Sequence, residues 1–183
     1  MAILRRHGVP KEVRMDVATL LSRARSARNE GVIYWWGKGG FDPMSPGPAG
    51  QDGRCDCSGF VCWALGLSRI TSHPLYVAYN GGGGSIGWIN SDAMVHDAGR
   101  QTGFFERLDE PEPGCIVMYP KRGSGRRYGH VGIVTRVAGG AVSKVVHCSA
   151  GNFLDTGDAI QETGPGAFEL PTTIYAWYEG IER

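Results

Sequence analysis

Nowhere does the sequence hold a run of about 18 consecutive apolar residues, the least that a membrane-spanning helix needs. No membrane span is therefore expected. Charge of one sign is also lacking, with 19 Lys and Arg against 18 Asp and Glu. A dedicated nucleic-acid binder is usually strongly basic, so nucleic acid is not an expected partner. A disulfide framework is missing too: Cys55, Cys57, Cys62, Cys115 and Cys148 are odd in number and unevenly spaced. Reduced thiols are the simpler reading. No Cys-x-x-Cys pair is present, and Cys55-x-Cys57 with His130, His147 and Cys148 makes a weak zinc signal, so no metal is expected. The first eight residues carry charges with no apolar core after them, unlike a secretory leader. The chain is thus expected to be cytoplasmic as synthesised, which leaves room for delivery to the periplasm or cell wall by lysis or a secretion machine.

Glycine is what the sequence has in plenty, 29 residues in 183, and this goes with many turns and appreciable β content. One domain over residues 1–183 is expected, with a helical N-terminal extension over 1–30, because no repeat or linker divides the chain. Val13, Val17, Leu20, Leu21 and Ala24 fall on one face of a helix predicted over 10–30, with Arg14, Arg23, Arg25 and Arg28 on or beside its wet side. Residues 37–54 read as an irregular loop. A second helix is predicted from Asp56, a good N-cap, with Phe60, Val61, Ala64, Leu65 and Leu67 as its apolar stripe. Leu75–Tyr79 can be read as a short strand, residues 80–84 as a flexible joint, and 85–98 as a helix with Ile86, Ile89, Ala93 and Met94 on one side. Gly82-Gly83-Gly84-Ser85-Ile86-Gly87 fits a Gly-x-Gly-x-x-Gly pattern, yet no parallel strand follows it, so no dinucleotide or other cofactor is expected.

From residue 114 the apolar pattern becomes that of strands, predicted at 115–119, 131–137, 142–148 and 172–178, with Gly139-Gly140 as a hairpin turn. Helices followed by antiparallel strands make an α+β domain.

Cys57 would stand in the first turn of the second helix. Unpaired N–H groups and the helix dipole there favour a thiolate and can hold an oxyanion. Small Ser58 and Gly59 leave room for a substrate. Taken alone, a cysteine so placed is more often a small buried residue. A catalytic thiol needs a base brought from elsewhere in the chain. If Ala138 pairs with Ala141 across the hairpin, residue 132 falls opposite 147 and 130 opposite 149. His130 and His147 are then diagonal neighbours on one face, their Cα atoms about 7–8 Å apart. A loop of odd length would turn one of them to the other face. In this arrangement His130 is the candidate base and His147 the group that holds its tautomer, while Cys148 points to the core. Lys121, Arg122, Arg126 and Arg127 form a solvated loop or a lure for substrate carboxylates. Trp35, Trp36 and Trp88 can wall a groove or pack in the core.

Asp56-Cys57-Ser58-Gly59-Phe60-Val61 with Trp63, Gly129-His130-Val131-Gly132-Ile133-Val134, and Val146-His147-Cys148-Ser149 together resemble the NlpC/P60 group of cysteine peptidases. Tyr34-Trp35-Trp36-Gly37 with Gly39-Gly40, and Pro113-Gly114-Cys115-Ile116-Val117, are similar to further segments of that group, so that the likeness covers about residues 31–150. The resemblance implies a papain-like α+β fold, with the cysteine helix packed on an antiparallel sheet. It implies a Cys57, His130, His147 triad, with Tyr34, Asp56 and Ser58 lining the substrate site. It also implies a peptidase or amidase acting on bacterial peptidoglycan stem peptides, often between D-glutamate and a diamino acid. An acyltransferase or transglutaminase-like activity on the same scaffold would differ in what resolves the acyl-enzyme. A phage or secretion-system lytic effector held by an inhibitor or delivery partner would share the chemistry.

Overall fold

The computed structural model describes residues 15–81 and 84–183. The first half of the chain carries β1 (Met15–Asp16), α1 (Val17–Ser26), β2 (Ile33–Tyr34), β3 (Arg54–Cys55), α2 (Cys57–Ala64), β4 (Ile70–Thr71), α3 (Pro74–Tyr79), β5 (Gly87–Trp88) and α4 (Ser91–Arg100). The second half carries β6 (Phe105–Leu108), β7 (Ile116–Tyr119), β8 (His130–Ala138), β9 (Ala141–Cys148), α5 (Ala150–Thr156), β10 (Ile160–Thr163), β11 (Ile174–Tyr178) and β12 (Ile181–Glu182). Six of the strands form one antiparallel sheet in the order β10-β9-β8-β7-β11-β6. The α+β class expected from the sequence is what the chain forms.

Helix α2 lies on the sheet against β8 and β9, and all eight of its residues are buried. Such a helix is apolar on every side. One side meets the sheet core of Ile116, Val131, Ile133 and Val146, and another meets the loop before it. That loop explains Gly59. A Cβ there would stand 2.5 Å from the Lys38 carbonyl oxygen and 2.8 Å from that of Gly39. Gly59 therefore lets two backbones touch; the expectation that it leaves room for a substrate is corrected.

Several element boundaries differ from expectation, each for a local reason. The first helix begins at Val17, not near residue 10: Asp16 accepts a hydrogen bond from the Thr19 amide at 2.7 Å, and Met15–Asp16 pairs with Ile181–Glu182 as a strand. Residues 10–14, Val13 and Arg14 among them, lie outside the described part. Leu75–Tyr79 is helical, not extended, because Pro74 occupies the first turn and His73 caps it through Nδ1. The helix predicted over 85–98 divides. Gly87–Trp88 pairs with Ile70–Thr71, a Cβ at Gly87 would lie 2.5 Å from the Tyr76 carbonyl carbon, and α4 starts only after its Asn90 cap. Of its predicted apolar side, Ile89, Ala93 and Met94 are buried, while Ile86 is exposed. Residues 82 and 83 of the predicted joint also lie outside the described part.

The β8–β9 hairpin keeps its predicted register by a detour. Ala138 faces Ala141 and Val137 faces Val142, but Arg136 then faces Lys144 and Val134 faces Val145. Thr135 is an extra residue on β8 and Ser143 an extra residue on β9. The two insertions cancel, so Ile133 faces Val146, as in an uninterrupted ladder. A single uncompensated bulge would have moved one histidine to the far face of the sheet.

Candidate active site

Cys57 opens α2. Its predecessor Asp56 caps the helix, with Oδ1 accepting from the Gly59 amide at 2.7 Å and from Ser58 Oγ at 3.0 Å. Oδ2 accepts from the Gly37 amide at 2.7 Å, which ties the preceding loop to the helix start. The Arg69 guanidinium reaches both carboxylate oxygens at 3.1 Å, Ser58 Oγ at 2.8 Å, and the carbonyls of Lys38 and Gly39 at 2.8 and 3.0 Å. Asp56 and Ser58 thus lie beside the cleft, but their polar atoms are engaged within the protein. Arg69, which the sequence reading passed over, is the buried cation that organises this turn.

The two histidines meet on the sheet face expected of them. His130 Nε2 lies 2.8 Å from His147 Nδ1, with ring centroids 5.0 Å apart and ring planes at 83°. Phe168 stacks on the His130 ring at 5.0 Å and 16°, and meets His147 edge-on at 5.5 Å. Gly132 is what lets these rings pack: a Cβ there would stand 3.0 Å from both His147 Cβ and Phe168 Cζ, and 2.7 Å from Val145 Cγ1. On the far side of its ring, His147 Nε2 is 2.9 Å from Thr163 Oγ1. Neither Phe168 nor Thr163 was marked in the sequence, because a stacking ring and a hydroxyl on later segments leave no local signature.

Cys57 stands at the start of α2, which packs on β8 and β9, the strands that carry the two histidines. The amides of Val131, next to His130, and of Ser58 act on its sulfur and favour the thiolate, as does Arg69. Burial outweighs them and, with the Asp56 charge, pushes the thiol up. This corrects the expectation that the helix start leaves Cys57 with a lowered pKa: the first turn of α2 is covered by the sheet and the 37–40 loop. Burial, with some help from His147, pushes His130 down to about 3, and burial pushes His147 down to about 4. Burial thus favours the neutral form of the thiol and of both imidazoles. Tyr34 is pushed up, chiefly by burial and then by Cys57, so its hydroxyl remains a donor.

The cleft beside Cys57 has a volume of about 720 Å³, and Tyr34, Trp36, Ser58, Trp88, Asp92, Lys121 and Tyr128 are among its lining residues. Trp36 and Trp88 wall the groove; Trp35, half exposed, instead stacks under the Arg54 guanidinium at 4.3 Å. Cys55, Cys62, Cys115 and Cys148 are free and buried, with Cys148 facing away from the histidines. Among the described residues, no three His, Cys, Asp or Glu side chains are grouped as metal ligands, and no helix is long and apolar enough to cross a membrane.

The histidine pair makes stability depend on pH. Free histidine titrates near 6.5, whereas His130 and His147 are held down to about 3 and about 4. Above pH 6.5 both are neutral folded or unfolded, and their contribution is fully present. Below it the unfolded chain binds two protons that the fold refuses, so stability falls as pH drops toward 3–4. The slope is on the order of 1 kcal/mol per pH unit for each histidine, somewhat less for the partly exposed His130. Urea unfolding at pH 7, 6 and 5 should give a falling midpoint, with a shallower fall in His147→Gln. An equal slope in parent and variant would contradict the assignment.

An antiparallel sheet carrying a buried cysteine helix, with two histidines aligned on neighbouring strands, makes an α+β papain-like fold. The family follows from comparison: residues 48–152 match the CHAP domain model, and the chain belongs to that family of cysteine/histidine-dependent amidohydrolases and peptidases. Among solved structures, the crystal structure of Ly7917 aligns with 90% of this chain at 15% identity and a TM-score of 0.50. A Staphylococcus aureus subsp. aureus Mu50 protein, similar to a lipoprotein of the NLP/P60 family, aligns with 94% of the chain at 16% identity and a TM-score of 0.41. The chain spans 63% of the first structure's length and 44% of the second's. No curated protein matches the sequence.

Proposed function

We propose that the protein hydrolyses amide bonds in peptidoglycan stem peptides, with Cys57 as nucleophile, His130 as base and His147 orienting His130. The observation that supports this most is the 2.8 Å contact between His130 and His147 on the two neighbouring strands against which the Cys57 helix packs, beside an open cleft. Since thiol and imidazole are both neutral at rest, the proton moves as attack begins: His130 takes it from Cys57 while sulfur adds to the substrate carbonyl. The developing oxyanion lies over the first turn of α2, where the Ser58 amide can donate to it. His130 then protonates the departing amine, leaving a thioester on Cys57. Water attacks the thioester, giving up a proton to His130, and the tetrahedral intermediate expels the Cys57 thiolate. The thiolate recovers that proton, and the acyl group departs as a carboxylic acid.

Tyr34 donates a hydrogen bond to the bound peptide. Asp56 and Ser58 shape the cleft floor, and the aromatic walls at Trp36 and Trp88 hold the chain on either side. The bond between D-glutamate and a diamino acid is the one we assign to it. The cell wall is the proposed place of action, reached by lysis or a secretion machine.

Incubation of the protein and of Cys57→Ala with peptidoglycan fragments, followed by mass spectrometry, tests this reading. The parent should release fragments carrying new amines and the elements of one water, and the variant should release none. Equal release by both, or none by the parent, would rule the proposal out.

A further inference from the structure

We infer that Thr163 is a positioning residue that sets the protonation pattern of both histidines and leaves His130 Nδ1 as the basic atom. The inference rests on the reading of His130 as the base.

Three neighbouring strands carry the relevant side chains on one face. Gln161 of β10 faces His147 of β9, and Thr163 lies two residues further along, the diagonal neighbour of His147. On the other side of β9, His130 of β8 is its diagonal neighbour in turn. The contacts form a continuous line: His130 Nε2 to His147 Nδ1 at 2.8 Å, His147 Nε2 to Thr163 Oγ1 at 2.9 Å, and Thr163 Oγ1 to the Gly164 carbonyl oxygen at 2.9 Å.

The direction of this line is fixed at its outer end. A carbonyl oxygen only accepts, so the single proton of the Thr163 hydroxyl goes to Gly164. The hydroxyl then offers a lone pair to His147, and His147 must carry its proton on Nε2. In the neutral ring Nδ1 is therefore unprotonated and accepts from His130. His130 in turn carries its proton on Nε2, and its Nδ1 is left with a free lone pair. Burial keeps both rings neutral, so neither escapes this logic by holding two protons. Were the Thr163 hydroxyl to donate toward His147, every proton in the line would reverse. His130 would then hold a proton on Nδ1 and could not accept one from Cys57.

Side-chain ¹⁵N NMR of histidine at pH 7 reads these tautomers without any substrate. In the parent, His130 and His147 should each carry the proton on Nε2. Thr163→Val keeps the shape and loses the hydroxyl; both tautomers should then be populated, and kcat on wall fragments should fall about 10- to 100-fold, with KM unchanged, on the scale of losing an outer partner that orients an imidazole. Thr163→Ser should restore the parent pattern and rate, which separates the hydroxyl from a packing effect. A parent with His147 protonated on Nδ1 would overturn the inference. So would a Thr163→Val protein whose tautomers match the parent. Nε2 tautomers in a protein inactive on peptidoglycan would support the inference and count only against the proposed substrate.

Discussion

His130→Ala is expected to lower amide hydrolysis at least about 10³-fold while the protein stays folded. A base that takes a proton in the attack and returns it to the leaving amine contributes roughly 10²–10⁴-fold. The upper part of that range applies here, because burial pushes the Cys57 thiol up and little thiolate exists without a proton acceptor. In the proposed mechanism thiol and imidazole act as one unit, so the losses should not add. Cys57→Ala, His130→Ala and the double variant should converge on one residual rate, measured as amine release per minute per enzyme. His147→Ala should fall short of them, since its ring touches His130 and not the reacting atoms. The controls are near-ultraviolet dichroism and a cooperative unfolding transition, because the Phe168 ring loses its stacking partner in His130→Ala. Activity within tenfold of the parent in His130→Ala would remove this residue from the mechanism.

The sequence disclosed the parts of the site that depend on short-range patterns. Asp56, three residues before Gly59, reads as a cap because a carboxylate at that spacing meets an orphan amide, and it does so. The alignment of His130 with His147 follows from a two-residue turn at Gly139-Gly140 and the strict alternation of strands. The two cancelling bulges at Thr135 and Ser143 were invisible, and the alignment survives them only because they are paired. What stayed hidden depends on distant partners. Arg69 lies between Ser68 and Ile70 with nothing to distinguish it from a solvated arginine, yet it is fully buried. Thr163 acts through a strand that joins the sheet only at its edge. The state of Cys57 is hidden for the same reason: the helix start is visible in the sequence, but the loop and sheet that cover it are not.

Arg69→Met should cost about 3–5 kcal/mol of stability, the scale for removing one member of a buried ion pair. The guanidinium has a side-chain exposure of 1%, and its Asp56 partner 5%. Its face lies against the Trp88 ring at 4.4 Å and near Phe41 at 5.6 Å, so methionine can replace the packing but not the charge. The loss falls on Asp56, which keeps the amides of Gly37 and Gly59 but is left as an uncompensated carboxylate away from water. The two backbone carbonyls of Lys38 and Gly39 lose their donor as well. For a domain of this size the drop corresponds to a melting temperature lower by on the order of 10 °C. The double variant Asp56→Asn/Arg69→Met separates charge from packing. Asparagine still caps the helix and needs no cation, so the pair of changes should cost less than Arg69→Met alone, a coupling that a double-mutant cycle in urea would measure. A lysine at 69 should restore only part of the loss, since one ammonium cannot span the carboxylate, the Ser58 hydroxyl and two carbonyls at once. If Arg69→Met unfolds within about 1 kcal/mol of the parent, the guanidinium is not what holds the turn of Cys57 together, and the Asp56 cap with the Gly39–Gly59 backbone contact must suffice.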